Sequence, residues 1–147
     1  MSLKETLMED LKDSMKSKDT IKKNTITMVR AAIKQREVDE RIDLSDDDIL
    51  DIISKQLKEK RTVIDEFTKG QRQDLVELTE KEIEILLRYL PKQLSEEEVE
   101  IIVIETIKEI NATSMKDIGN IMKAVMPKVK GKTDGNMVNK IIKKVFN

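Results

Sequence analysis

Apolar residues recur along most of the chain at steps of three and four, which is the spacing of one face of an α-helix. In the first segment, for example, Leu3, Leu7, Leu11 and Met15 form a single stripe. Similar stripes follow in six further segments, separated by short polar stretches. The pattern predicts seven helices and no β-sheet, so the expected fold class is all-α.

Helix boundaries are indicated by capping residues. Capping-box spacing is found for Ser2 with Glu5, Ser45 with Asp48, Ser95 with Glu98 and Ser114 with Asp117, and further predicted N-caps are Asp19, Asp74 and Asp134. Residues that are predicted to end helices are Gly70, Pro91, Asn111 and Pro127. The polar segment 36–43 is predicted to be the turn between the second and third helices.

The proline at position 91 marks the predicted domain boundary. Residues 1–90 are predicted to form an antiparallel four-helix domain, because four amphipathic helices follow one another with short connections. Residues 91–94 are the predicted linker, and residues 95–147 are predicted to form a small three-helix domain. A domain of about 53 residues has a marginal core, so the second domain is expected to lean on the first.

One helical face is interrupted by charge. In the third helix, Lys60 or Arg61 stands where an apolar residue is expected. These side chains could form a polar groove, or their apolar stems could cover the core while the charges reach water. The second interpretation is favoured, because charged residues are abundant throughout the chain.

The composition argues against several classes of function. Histidine and cysteine are absent, which removes the commonest general base, thiolate chemistry and the usual zinc ligands. The four glycines cannot form a phosphate-binding or dinucleotide-binding loop. We therefore expect no cofactor, no metal and no self-sufficient active site. The lack of cysteine, of an apolar signal region and of a membrane-length apolar run favours a cytoplasmic protein.

Charge is distributed unevenly along the chain. The overall net charge is −1. Residues 112–147 contain 8 lysines and 2 aspartates, a net charge of +6, whereas the first 111 residues carry −7. A basic end on an acidic body suggests a polyanionic partner for that end, although part of the lysine density is general, because lysine outnumbers arginine 22 to 6.

A basic connection between the last two helices is the strongest candidate for an anion site. Pro127 is predicted to end the sixth helix and to leave an extended segment before the closing helix. In an extended segment, Lys128, Lys130 and Lys132 would project to one side. We predict that these three lysines contact RNA phosphates. The predicted flanking contacts are Lys116, Lys123 and Lys140.

The start of the closing helix offers a second way to bind an anion. Its backbone N–H groups could face a phosphate, and Gly135 would allow a close approach. Asp134 is expected to occupy those donors itself as the N-cap and to repel an anion. Lys143 and Lys144 are explained by the helix C-terminus, where cations are favourable. The prediction therefore rests on the lysines of the connection.

Several segments carry a resemblance to a known family. The two longest are Tyr89-Leu90-Pro91-Lys92-Gln93-Leu94-Ser95-Glu96-Glu97 and Met126-Pro127-Lys128-Val129-Lys130-Gly131-Lys132-Thr133-Asp134-Gly135, and the shorter ones are Lys116-Asp117-Ile118-Gly119, Leu3-Lys4-Glu5, the segment 28–34, and Arg72 with Asp74-Leu75. In these motifs the chain resembles the YqeY family, which is similar to the C-terminal tail of GatB. GatB is the B subunit of the glutamine-dependent aspartyl/glutamyl-tRNA amidotransferase. Two positions depart from the family pattern: Asn120 replaces a basic residue and Thr133 replaces alanine.

The resemblance implies an all-α protein with a larger N-terminal helical domain and a small three-helix C-terminal domain. It also implies kinship with carbon–nitrogen ligases that use glutamine as the amido-N-donor, in which the GatB tail engages the outer corner of tRNA. The motif positions that the resemblance singles out are Pro91, Ser95, Gly119, Pro127, Gly131, Asp134 and Gly135. The chain has neither GatB's ATP-using domain nor the amidase serine–lysine site of its partner subunit, so no catalysis is expected from the chain alone.

Two functions of different classes follow from these expectations. The first is an accessory module whose basic end docks tRNA, or an amidotransferase or another tRNA-handling protein. The second is a protein-interaction adaptor in which the acidic N-terminal domain is the interaction surface and the lysines only aid solubility. Neither function requires contact with a membrane. Salt dependence separates the two, because phosphate contacts weaken steeply with salt.

Overall fold

The computed structural model describes residues 2–147, and within that range it contains helices and no strand. The α-helices are α1 (Leu3–Lys16), α2 (Thr20–Glu40), α3 (Asp46–Lys69), α4 (Gln73–Leu87), α5 (Glu96–Glu109), α6 (Ile118–Val129) and α7 (Gly135–Val145). A 3₁₀ turn, Met115–Asp117, precedes α6. The prediction of an all-α fold is confirmed.

The chain divides into two compact units. The N-terminal unit ends at Leu90 and contains α1–α4, and the C-terminal unit begins at Pro91 and contains α5–α7. Each unit has its own buried core. Whether the two units behave as independent domains joined by a linker stays a prediction.

The core of the N-terminal unit is aliphatic. Helix α3 packs against α4, α1 packs against α2, and α2 also packs against α4. The side chains that are completely removed from solvent are Leu7, Ile26, Ile49, Ile53 and Leu86. All four helices contribute to this core, and each buried position lies on one of the apolar stripes in the sequence.

The core of the C-terminal unit is rich in valine. Helix α5 packs against both α6 and α7, and these two helices also pack against each other. The buried side chains are Val99 and Val103 of α5, Ile121, Val125 and Val129 of α6, and Val138, Ile141 and Ile142 of α7. All three helices therefore contribute side chains to this core.

Most of the predicted caps are present. Complete capping boxes are formed by Ser2 with Glu5, Ser45 with Asp48 and Ser95 with Glu98, and the carboxylates of Asp19 and Asp134 also cap their helices. In the third box, the backbone N–H of Ser95 donates to the Glu98 carboxylate, and this bond lowers the pKa of Glu98. Gly70 follows α3, and Asn111 ends the α5 segment with a left-handed φ of 56°.

Two predicted boundaries of the N-terminal unit are wrong. Helix α2 extends into the predicted turn and ends at Glu40. Polar residues form helix readily when they pair at i and i+4. Here the Arg36 guanidinium binds the Glu40 carboxylate at 2.7 Å. Asp74 does not cap α4, since its two carboxylate oxygens accept from the Arg72 guanidinium at 3.1 Å. This pair lowers the pKa of Asp74.

The start of α6 also differs from the prediction. The Ser114 hydroxyl accepts from the backbone N–H of Lys116 and so caps the 3₁₀ turn, and α6 itself begins at Ile118. The Asp117 carboxylate accepts from the backbone N–H of Thr113 at 3.0 Å and does not cap α6. A short tight turn therefore replaces the predicted first turn of the sixth helix.

The charge that interrupts the α3 face is neutralised inside the N-terminal unit. The Lys60 ammonium binds the Glu82 carboxylate of α4 at 3.3 Å. The two side chains are only 14% and 17% exposed. Lys60 is therefore part of the packing between α3 and α4, rather than an open polar groove or a charge that simply reaches water.

Candidate nucleic-acid interface

Helix α6 passes through Pro127 and ends two residues later, at Val129. The prediction that Pro127 ends the helix is therefore wrong. A proline within a helix costs about 3 kcal/mol, but Val129 is completely buried against the neighbouring helices. Burial of one valine contributes about 1.5–3 kcal/mol. The core contact thus offsets much of the cost of the proline.

The segment after α6 is a tight turn rather than an extended strand. Lys130 has φ −53° and ψ 123°, Gly131 has φ 75°, and the backbone N–H of Lys132 donates to the Val129 carbonyl at 2.8 Å. These angles define a type II β-turn, whose third residue needs a positive φ and therefore favours glycine. The extended segment predicted for Lys128, Lys130 and Lys132 is therefore absent. Without it, the alternation of these lysines no longer places them on one side.

Lys128 lies on the last turn of α6 and faces α5. Its ammonium donates to the Thr106 hydroxyl at 2.9 Å and to the Glu109 carboxylate at 2.7 Å. Because Thr106 is completely buried, this contact joins the two helices. The charge of Lys128 is already balanced within the C-terminal unit.

The other two lysines of the connection lie at the turn itself. The Lys130 side chain is exposed, whereas that of Lys132 is half-buried. The Lys132 backbone is held on both sides, because its carbonyl also accepts from the backbone N–H of Leu94 at 2.9 Å. Within residues 2–147, the Lys132 ammonium has no hydrogen bond or ion pair.

The two longest motifs of the sequence lie against each other. The side-chain amide of Gln93 donates to the carbonyls of Gly131, at 2.7 Å, and Pro91, at 3.0 Å. A Cβ atom on Gly131 would lie 3.5 Å from the Pro91 ring. The segment that was predicted to be a linker is therefore fastened to the turn after α6.

The N-terminus of α7 is occupied as predicted. The Asp134 carboxylate accepts from the backbone N–H of Met137 at 2.8 Å. Gly135 is the first residue of the helix, and a Cβ atom there would make an ordinary contact of 3.7 Å with Met122. The carboxylate takes the place that a phosphate would need.

A row of amide and ammonium groups runs along one face of α7. The residues that line this shallow groove are Asn136, Asn139, Lys140, Lys143, Lys144 and Asn147. We call this row the α7 stripe. Sequence reasoning placed only Lys140 at the interface and attributed Lys143 and Lys144 to the helix C-terminus. The signal that could have found the stripe is the recurrence of Asn and Lys at steps of three and four.

Two lysines of the stripe are paired with α5. The Lys140 ammonium binds the Glu96 carboxylate, and the Lys144 ammonium binds the Glu100 carboxylate, each at 3.2 Å. The lysine side chains are 69% and 66% exposed. Pairs this open to water contribute about 0–1 kcal/mol, so another anion can replace the α5 carboxylates at low cost.

The remaining predicted contacts lie near the start of α6 and on its outer face. Lys116 is in the 3₁₀ turn and Lys123 is on α6, and both side chains are exposed. In the part of the chain that the structure describes, neither ammonium has a hydrogen bond or ion pair, and the same is true of Lys143. Gly119 is exposed beside them, and a Cβ atom there would meet nothing within 4 Å.

The acidic helix α5 offsets much of the basic charge. The C-terminal unit contains 10 lysines and 8 acidic side chains, a net charge of +2, although residues 112–147 alone carry +6. Helix α5 supplies most of the acids, and three of them pair with lysines of α6 and α7. The unit therefore has one acidic helix beside two basic ones.

The described part of the chain has neither a metal-binding cluster nor a membrane-spanning helix. Residues 2–147 contain no group of three acidic, histidine or cysteine side chains that could hold a metal ion. No helix in this range is long and apolar enough to cross a membrane.

Comparisons with known proteins agree with the sequence motifs. The family model described as Yqey-like protein matches residues 4–146. One relative is the Lachancea thermotolerans protein named "Altered inheritance of mitochondria protein 41, mitochondrial", which is 41% identical to this chain over 85 residues. The aligned region is 57% of this chain and 46% of that protein. The protein of the same name in Kluyveromyces lactis is 37% identical over 108 residues, or 71% of this chain and 58% of the relative.

A more distant relative aligns over most of the chain. The protein of the same name in Pyrenophora tritici-repentis is 29% identical over 142 residues, which is 95% of this chain and 78% of the relative. For the Lachancea and Kluyveromyces proteins, the aligned region spans only about half of the relative's length.

Proposed function

This chain belongs to the YqeY family, and on that premise we propose that it is a tRNA-binding accessory module related to the glutamine-dependent tRNA amidotransferases. In this proposal the C-terminal unit contacts the RNA backbone, and a larger tRNA-handling enzyme performs the chemistry. The carbon–nitrogen ligase activity of the related enzymes is not assigned to this chain alone. The proposal combines the resemblance to the GatB tail with the arrangement of lysines on α6 and α7.

The observation that carries the proposal is a set of exposed ammonium groups that no carboxylate balances. Within residues 2–147, Lys116, Lys123 and Lys143 are exposed and have no ion pair. Each would contribute one phosphate contact, and such contacts supply most of the affinity for nucleic acid without reading its sequence. We therefore expect structured RNAs to bind with similar affinity.

The paired lysines of the α7 stripe would add to this set. Lys140 and Lys144 are bound to glutamates whose side chains are 52% and 33% exposed, and a phosphate offers the same ammonium groups a charged oxygen acceptor of the same kind. Lys130 and Lys132 at the turn remain proposed contacts. Lys128 is the least available of the predicted residues, because it holds both Thr106 and Glu109.

Two further parts of the proposal concern organisation and location. We propose that the four helices of the N-terminal unit and the three helices of the C-terminal unit act as separate domains, with RNA binding assigned to the second. We also propose a cytoplasmic location, which the lack of cysteine favours. The relatives named above carry the word mitochondrial in their names, so imaging of a tagged full chain in its own cell tests the location.

The binding proposal is tested by fluorescence anisotropy with labelled bulk tRNA at two salt concentrations. Changing Lys116, Lys123 and Lys143 together to alanine should lower the salt slope by about two to three units, because each lost phosphate contact removes about one. The triple change of Lys128, Lys130 and Lys132 should have a smaller effect on the slope, since Lys128 is already paired.

A matched control is available on the N-terminal unit. Lys12, Lys16 and Lys23 are exposed and have no ion pair in the described range, so their triple alanine variant removes the same charge from the other unit. If this control weakens tRNA binding as much as the first variant does, binding depends only on net charge. If neither this first variant nor the Lys128, Lys130 and Lys132 variant changes the slope, these six lysines do not contact RNA phosphates.

A further inference from the structure

A groove on the N-terminal unit is lined by apolar and cationic side chains that take no part in the proposed RNA binding. It lies between α1 and α2, and its floor is formed by Leu7 and Met8 of α1 and by Ala31 and Ile33 of α2. Leu7 and Ile33 are buried, whereas Met8 is 36% exposed and Ala31 is also exposed. Ala31 has a small side chain, and the flexible methionine can adapt to a neighbouring surface.

Two cations stand along one edge of this groove. Arg30 and Lys34 are one turn apart on α2, and both line the groove. Within residues 2–147, neither side chain has a hydrogen bond or an ion pair. The N-terminal unit as a whole contains more acidic than basic side chains, 21 against 18, so these two cations form a local basic patch on an acidic unit.

The carboxylates nearby are committed to other partners. The Glu37 carboxylate binds the Lys4 ammonium and also accepts from the backbone N–H of Leu44 at 2.9 Å. These two bonds lower the pKa of Glu37. The Glu5 carboxylate accepts from the backbone N–H of Ser2 in the first capping box. Neither acid is available to Arg30 or Lys34, so their charges point to an anionic partner.

The shape and chemistry of the groove together select one class of occupant. Its α2 side runs from Thr27 to Glu37, which corresponds to about 15 Å at the rise of an α-helix. A third helix can lie along the valley between two packed helices, with apolar residues on the floor and charges at the edge. Phosphates of a nucleic acid would satisfy Arg30 and Lys34 but would leave the apolar floor uncovered.

We propose that the groove between α1 and α2 docks an acidic amphipathic helix of a partner protein. Apolar residues of that helix would cover Met8 and Ala31, and two carboxylates spaced one turn apart would bind Arg30 and Lys34. This site is separate from the proposed RNA interface, because it uses no residue of the C-terminal unit. It would let the chain hold RNA with one unit and a protein with the other.

The test uses the full chain and a defined probe, followed by amide NMR spectra. The probe is a capped synthetic helix of about 14 residues with leucines at i, i+4 and i+7 and glutamates beside that stripe. We expect shifts of the amide signals of Met8, Arg30, Ala31 and Lys34. A second peptide with glutamine in place of each glutamate should bind about tenfold more weakly, because the charge pairs are lost.

Matched variants separate the groove from general effects of charge and hydrophobicity. Changing both Arg30 and Lys34 to glutamate should reduce binding of the acidic peptide by about tenfold or more. Lys58→Glu with Arg61→Glu is the control, because both are exposed cations of α3 outside the groove, with no ion pair in residues 2–147. Met8→Gln should also weaken binding, whereas Met28→Gln, at an exposed methionine outside the groove, should not.

Several outcomes would overturn the proposal. Equal binding of the glutamate and glutamine peptides, or equal losses in the α3 control variant, would show that Arg30 and Lys34 do not select the ligand. Groove shifts caused by an RNA oligonucleotide would assign the groove to nucleic acid. The same shifts in the protein alone at rising concentration would assign it to a second copy of the chain. Absence of groove shifts with every probe would remove the site altogether.

Discussion

The two units hold their opposite charges in different environments. In the N-terminal unit, Lys60 and Glu82 pair between α3 and α4 with side chains that are 14% and 17% exposed. In the C-terminal unit, Lys140 and Glu96 pair between α7 and α5 at almost the same distance, but their side chains are 69% and 52% exposed. Similar contacts therefore have unequal surroundings.

This difference decides what each pair can do. A pair that is largely shielded from water belongs to the packing, because removal of one partner leaves a charge that water cannot solvate well. A pair on the surface contributes little to stability and can be replaced by an external ion. The shielded pair of the N-terminal unit therefore stabilises the packing of α3 against α4. The surface lysines of the C-terminal unit can bind an external anion instead.

The largest expected effect is on the shielded pair. Lys60→Ala should lower the free energy of unfolding by about 1–3 kcal/mol, because Glu82 is left without its partner in a partly buried place. The measurement is chemical denaturation of the purified variant. Lys60→Ala combined with Glu82→Ala should recover part of the loss, since no unpaired charge remains. A loss below about 0.5 kcal/mol for the single variant would place this pair with the surface pairs.

Local signals in the sequence were read correctly more often than signals that depend on packing. The caps at Ser2, Ser45 and Ser95 were predictable, because a capping box needs only the residues of one helical turn. The course of the chain at Pro127 was not predictable in the same way. It depends on the burial of Val129 against α5 and α7, which no local pattern records.

At the candidate site, too, local features could be predicted and features that depend on packing could not. The exposure of a lysine could be inferred from its position off the apolar stripes. Lys116 and Lys123 are exposed as expected. The partners of Lys128 and Lys140 could not be inferred, since Glu109 and Glu96 lie 19 and 44 residues away in the sequence. The acidic balance supplied by α5 appears only when the helices are packed.

The second prediction concerns a shielded contact that responds to pH. The Tyr89 hydroxyl donates to the Asp10 carboxylate at 2.5 Å and so ties the end of α4 to α1. Burial, and then this bond, raise the pKa of Tyr89 well above its usual value near 10. Because the folded state favours the neutral phenol, the stabilisation is complete below pH 10 and is lost as the pH rises above that value.

One tyrosine and no tryptophan make this shift directly measurable. Tyrosinate absorbance should rise at higher pH in the folded protein than in denaturant, since Tyr89 is the only tyrosine. Tyr89→Phe should cost about 1 kcal/mol at neutral pH and should make the loss of stability above pH 10 shallower. Asp10→Asn should reduce the shift without abolishing it, because burial remains. Identical titrations in the folded and denatured states would contradict this account.

The third prediction tests whether the surface around α6 is kept open for a ligand. A Cβ atom on Gly119 would meet nothing, so Gly119→Ala should stabilise the C-terminal unit by about 0.5–1 kcal/mol through helix propensity alone. If RNA approaches the backbone between Lys116 and Lys123, the same variant should bind tRNA more weakly. Greater stability with unchanged tRNA affinity would exclude a close approach at this position.

The smallest expected change in stability is at the surface pairs, and there the comparison between the units is sharpest. Changing Lys140 and Lys144 together to alanine should alter the free energy of unfolding by no more than about 0.5 kcal/mol. The same double variant should lower the salt slope of tRNA binding by up to about two units. Binding and stability should therefore separate, in contrast to Lys60→Ala, which should affect stability alone.

The partner glutamates allow the converse experiment. Glu96→Gln with Glu100→Gln frees the two ammonium groups without removing them, so tRNA should bind more tightly while stability stays nearly constant. Glu97→Gln with Glu105→Gln is the matched control, because these exposed residues of α5 have no ion pair within residues 2–147. Equal gains from both double variants would mean that tRNA senses only the total charge of α5. A gain confined to the first would mean that phosphates take the place of the α5 carboxylates on the α7 stripe.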